Sequence, residues 1–145
     1  MALAYNSNGF GTMIQSITKE GVTIIWFTTT QEDSQVKLGT TQGTLNMIYT
    51  DTTPAVLTSD GVYKHTMRIR GLASNTKYFY SVGSSGFQLF GNTVNEFFYT
   101  APDYNTAQPM RFWALADYGH TGGQVTARNA FTSFNGRLCN ICSRR

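Results

Sequence analysis

Charge is scarce in this sequence: only 13% of its 145 residues are Asp, Glu, Lys or Arg. With 41% hydrophobic and 14% aromatic residues, such a chain can bury a core, which excludes wholesale disorder. Cysteine is scarcer still. Cys139 and Cys142 lie together near the end, so they cannot staple the body of a fold, and no redox compartment follows from them. No apolar run is long enough to span a membrane. Residues 1–5 carry neither the basic start nor the apolar stretch of a secretory signal, and no Asn-x-Ser/Thr glycosylation acceptor occurs. Acid is missing from one region altogether, because no Asp or Glu follows Asp117. The formal charge of +3 arises there, from Arg128, Arg137, Arg144 and Arg145, while the residues up to Asp117 are close to neutral. A tail bias of this kind is not a nucleic-acid-binding face, so neither a nucleic-acid nor a membrane partner is expected.

What the sequence does contain is Thr, Tyr, Phe and Val, arranged in short runs between turn residues, which predicts a mainly β protein. Strands are expected over 12–18, 22–29, 35–38, 44–49, 63–70, 77–82 and 94–100. In the second, Val22, Ile24 and Trp26 fall on one face at the period of two that a strand imposes. The short Lys19-Glu20-Gly21 before it suits a hairpin. In the fifth, Tyr63, His65, Met67 and Ile69 share one side, and Lys64, Thr66, Arg68 and Arg70 the other, so one face is wet. Here His65 is a core-face or edge residue. About seven strands in roughly 100 residues is the pattern of an immunoglobulin-like or fibronectin type III sandwich.

A more specific signal lies in residues 71–78, Gly-Leu-Ala-Ser-Asn-Thr-Lys-Tyr. Leu72 is placed to plug the core under a loop. The ring of Tyr78 packs inside while its hydroxyl bonds back to the loop backbone, the arrangement called a tyrosine corner. Tyr80 continues the inward face, and Trp26 is the large residue that such a core needs. Ser74 stands where the fibronectin pattern often has proline, and losing that restraint should loosen the loop without changing the fold.

Residues 102–109, with Pro102 and Pro109 among polar residues, read as a linker between a domain over 1–101 and a second unit over 110–145. Residues 110–116 (MRFWALA) are a short apolar run in the style of a buried strand, and 117–123 form a polar, glycine-rich loop. In 124–134 the apolar residues Val125, Ala127, Ala130, Phe131 and Phe134 recur at helical spacing. Strand, Asp-bearing loop and helix open an α/β unit. Asp117, just past the strand, is placed either to hold a hard cation or to cap the turn and the helix.

The order of these parts resembles the purple acid phosphatases: the Leu72 to Tyr78 corner, the exit Thr100-Ala101-Pro102, the linker, and then Ala116-Asp117-Tyr118-Gly119 after an apolar strand. In that family a fibronectin-like domain precedes a calcineurin-like metallophosphoesterase domain, which opens on a hydrophobic strand ending in Gly-Asp-x-Gly. This chain has Ala116 in place of the first Gly. The resemblance spans roughly 12–134. It implies hydrolysis of phosphate monoesters at a dinuclear centre, iron paired with iron, zinc or manganese, with Asp117 as the first metal ligand. It also implies a secretory or lysosomal setting and a catalytic domain as the natural packing partner of the first domain.

The family's later ligand motifs do not occur in these 145 residues, and the bridging carboxylate has no candidate after Asp117. Tyr118 is not the family's metal-bound tyrosine, which belongs to a later motif. His120 reads as a solvated loop residue. Cys139-x-x-Cys142 lacks the second ligand pair of a zinc site and the context of a redox pair. The expectation is an N-terminal fragment with no catalytic residues, inactive alone, whose last twelve residues reflect a truncated gene model, through intron read-through or a frameshift. The alternative is a free-standing fibronectin-type binding or adhesion module, against which the apolar strand over 110–116 argues.

Overall fold

The computed structural model describes residues 9–107. Within them the chain forms β1 (Gly9–Gln15), β2 (Gly21–Thr28), β3 (Ser34–Gly39), β4 (Met47–Asp51), β5 (Val56–Leu57), β6 (Tyr63–Arg70), β7 (Lys77–Gly83), β8 (Gln88–Gly91) and β9 (Phe97–Tyr99). There is no helix among the described residues. The strand over 110–116 and the helix over 124–134 expected from the sequence lie outside them.

The strands make two antiparallel sheets, consistent with a sandwich. One has the order β1-β2-β6-β5; the other runs β4-β3-β7-β8, with β9 also on β7. Alternation decides which faces meet. Val22, Ile24 and Trp26 of β2 and Met67 and Ile69 of β6 point inward from the first sheet, against Val36, Leu38, Tyr78, Tyr80, Val82 and Phe98 from the second. β6 follows the expected pattern closely, with His65, Met67 and Ile69 buried and Lys64, Thr66, Arg68 and Arg70 exposed. β2 is covered on both faces: Ile25 points away from the core yet is 6% exposed, flanked by Met13 on β1 and Thr66 on β6.

Several boundaries differ from the sequence expectation for local reasons. β1 begins earlier and stops at Gln15, because Ser16 adopts a left-handed conformation (φ 49) that ends the strand. Thr44 does not join β4. It doubles back to bridge Thr41 and lies so close to Gly39 that a Cβ there would overlap the Thr44 carbonyl oxygen. Two strands are additional. β5 is a two-residue pairing that follows Pro54 and Ala55. β8 takes one end of the β7 edge and β9 the other. Gly91 (φ 104) and Asn92 (φ 65) turn the chain between them, which shortens the strand expected over 94–100.

Candidate functional site

Asp117, with Tyr118, His120, Cys139 and Cys142, lies outside the described residues. Within 9–107, polar side chains are drawn together in three places, and each arises from the strand register.

The first is the pole where the chain leaves the sheets. Leu72 is buried under the β6–β7 loop, and the Tyr78 hydroxyl accepts the Ala73 amide at 3.0 Å, so the expected corner forms. Thr100 completes it. Its hydroxyl donates to the Ala73 carbonyl at 2.6 Å and accepts the Thr76 amide at 2.9 Å. Backbone bonds from Asn75 to Ala101, from Thr100 to Thr76 and from Ala101 to Thr18 knit the departing chain to both loops. Ser74 contributes a tie where proline would give a stiff ring, since its hydroxyl donates to Asp103 at 2.8 Å. Lys19 reaches the same carboxylate at 3.4 Å. These donors hold the Asp103 carboxyl below its ordinary range, the Ser74 bond first. Lys19, Glu20, Leu72, Ser74 and Asp103 line a cleft of about 120 Å³. That is well short of the roughly 300 Å³ at which small-molecule sites begin.

The second place is a tie between sheets on the β1 side, where Thr12 and the Tyr80 hydroxyl share a bond of 2.6 Å. Burial raises the Tyr80 phenol to about 12, so it stays neutral.

The third is His65, at the opposite pole. The sequence reads it as a core-face or edge residue, and the structure buries it on the core face of β6. What it does there was not legible from spacing alone. Its ring stacks on Trp26 (centroids 4.8 Å apart, 7° between planes), a consequence of the β2–β6 register that sets the two residues opposite each other. Nε2 is 2.8 Å from the Thr28 hydroxyl and Nδ1 is 2.9 Å from the Ser34 hydroxyl. Thr28 ends β2 and Ser34 begins β3, so the imidazole spans the two sheets. Only 1% of His65 is exposed, and burial lowers its pKa despite the opposing pull of Glu32 and Asp33. The indole Nε1 of Trp26 is buried without a hydrogen-bond partner among the described residues.

None of these arrangements has the make-up of a reaction centre. Among the described residues no group of three His, Cys, Asp or Glu could hold a metal ion. Both nitrogens of His65 are taken by hydroxyls. The carboxyls that shift, Asp33, Asp51 and Asp103, all shift downward through hydrogen bonds from neighbouring residues, the opposite of what a general acid needs. No described helix is long and apolar enough to cross a membrane.

Fold and site together define a mainly β domain whose polar groups tie loops and sheets to each other. Residues 11–101 match the family described as the purple acid phosphatase N-terminal domain, and the chain belongs to that family. No curated protein and no solved structure matches it.

Proposed function

We propose that residues 1–101 are the fibronectin type III, immunoglobulin-like accessory domain of an acid phosphatase, which positions a catalytic domain and carries no catalytic residue itself. The observation that carries this reading is the family match over 11–101, which coincides with the two sheets. The strand plan supports the finer fold. β1, β2 and β6 form one sheet, β4, β3, β7 and the interrupted β8–β9 strand form the other, and β5 is a short addition. Trp26 in the core and the Leu72–Tyr78 corner stand where such a sandwich has them.

In this reading 102–109 is a linker and 110–145 opens a metallophosphoesterase unit, the natural packing partner being the rest of that catalytic domain. The family's centre pairs iron with iron, zinc or manganese and acts on phosphate monoesters. Asp117 supplies one oxygen donor toward it. The donor set of these 145 residues does not fit two metal ions, because no carboxylate follows Asp117 and the described residues hold no ligand cluster. No hydrolytic step is therefore assigned to this chain.

The test is a para-nitrophenyl phosphate assay of the full 145-residue chain with added iron and zinc. Turnover at background, unchanged in Asp117→Asn, is the expected result. Turnover above background that disappears in Asp117→Asn would overturn the reading of an incomplete centre.

A further inference from the structure

Hydrogen-bond accounting at His65 fixes how the ring is protonated. The Thr28 hydroxyl donates its only proton to the Thr30 carbonyl at 2.6 Å, so toward the imidazole it can only accept. Nε2 therefore carries the hydrogen, and Nδ1 is the acceptor for the Ser34 hydroxyl. Among the described residues no carboxylate is hydrogen-bonded to the ring. Its direct partners are Thr28, Ser34 and the stacked Trp26, none of which titrates near neutrality. The charges that act on it are the carboxylates of Glu32 and Asp33 on the β2–β3 loop. On β6 itself Lys64 is exposed on the opposite face of the sheet.

One contact extends the network beyond Ser34. Asp33, the residue before it, accepts the Ser85 amide from the β7–β8 turn at 3.0 Å. His65, Ser34, Asp33 and Ser85 thus form a line of contacts joining the first sheet, the β2–β3 loop and the β7–β8 turn. All of it lies at the pole away from the chain exit.

We propose that His65 is an acid-released latch: adding a proton to Nδ1 reverses the Ser34 bond, charges a buried site and opens the pole formed by residues 29–34 and 84–87, leaving the exit pole closed. A proton on Nδ1 turns that nitrogen into a donor, so the Ser34 hydroxyl must rotate to accept from it and direct its own proton elsewhere. It also puts a full charge into a site closed to water, with the two nearby acids outside hydrogen-bond contact. Opening the pole returns the imidazolium to water. The sign is set by linkage. A histidine whose folded-state pKa lies below its ordinary 6.5 binds the proton more readily in the open form, so closure is fully favoured above 6.5 and weakens as pH falls toward the folded-state value. Among the described residues the network of the exit pole contains no histidine. Its ties are the hydroxyls of Tyr78 and Thr100 and backbone bonds, with the Asp103 carboxyl held below its ordinary range.

The experiment is residue-resolved amide exchange on the full chain between about pH 7.5 and pH 5, a window that brackets the histidine range, corrected for intrinsic rates, with the ring resonances of both histidines titrated in parallel. The chain has two histidines, so His120→Gln assigns the His65 signals. Each pKa unit between open and closed forms changes the open fraction about tenfold. The expected result is faster exchange at the Ser84 and Ser85 amides by about tenfold or more, at unchanged exchange for Ala73, Thr76 and Ala101. In His65→Gln, which cannot take up the proton, that acid response disappears. His65 titrating at its ordinary 6.5 or above, both poles opening together, or a response that persists in His65→Gln would each overturn the proposal. Should His65→Gln fail to fold, the titration and the pole-to-pole comparison in the unaltered chain decide it.

Discussion

Replacing Thr100 with valine removes one oxygen while keeping the side chain's shape, so it isolates the hydroxyl that closes the exit pole. Thr100 is 3% exposed, and that hydroxyl bonds the Ala73 carbonyl and the Thr76 amide at once. Valine leaves both backbone groups facing a methyl. An orphaned buried group costs about 1–3 kcal/mol, and because Ala73 is exposed and Thr76 half-buried the low end applies to each. The pair then comes to about 2 kcal/mol. Tyr78→Phe removes a single acceptor, that of the Ala73 amide, and should cost about 1 kcal/mol. For a domain of this size each kcal/mol lowers Tm by about 4–8 °C, which puts Thr100→Val roughly 8–16 °C below the parent. The assay is thermal and urea unfolding of the full chain followed by circular dichroism, with Thr100→Ser as the control that keeps the oxygen. A Thr100→Val variant as stable as Tyr78→Phe, or more so, would refute the assignment of the corner's strength to Thr100.

Leu72→Ala should lower stability by about 2–4 kcal/mol, since the leucine is buried beneath the loop and the loop cannot collapse onto the cavity without giving up the Tyr78 and Thr100 bonds; the urea midpoint checks it. Gly39→Ala should cost about 1–3 kcal/mol, because the new methyl overlaps the Thr44 carbonyl and crowds Leu45, and the shift should appear as amide chemical-shift changes confined to residues 38–48.

The inward face of β6 was legible because alternation is a property of single strands and β6 alternates strongly. In β2 and β7 the period of two still placed Trp26, Tyr78 and Tyr80 on the inner side. Leu72 and Tyr78 were legible because a corner has fixed offsets along the chain. What spacing did not show depends on neighbours distant in sequence. Thr100 read as part of an exit signal, yet its hydroxyl serves groups 24 and 27 residues away. His65 read as a core-face or edge residue, and its partners Thr28 and Ser34 stand 37 and 31 residues earlier. One signal did exist: a histidine alternating in phase with Met67 and Ile69 must be buried, and a buried imidazole needs two partners. β8 escaped because Gly91 and Asn92 split one edge strand into two pieces, each too short to show a period. Asp117 rests on motif and order alone.

The two poles are held by different chemistry, and the difference bears on how the domain holds the chain where it leaves the sheets. At the exit, the bonds seen among the described residues to hold residues 100–101 are neutral, so they do not depend on pH in the range where histidine titrates. The ion pair of Lys19 with Asp103 is exposed and weak, an adjunct to those bonds and no substitute for them. At the far pole, the span between sheets runs through a buried imidazole, where burial and not the hydrogen-bond pattern disfavours the charged form. A hydrocarbon in place of His65 would pack against Trp26 as well and would not respond to acid. The histidine therefore adds a dependence on protons that the core does not require, at the one end where opening leaves the attachment to the rest of the chain intact.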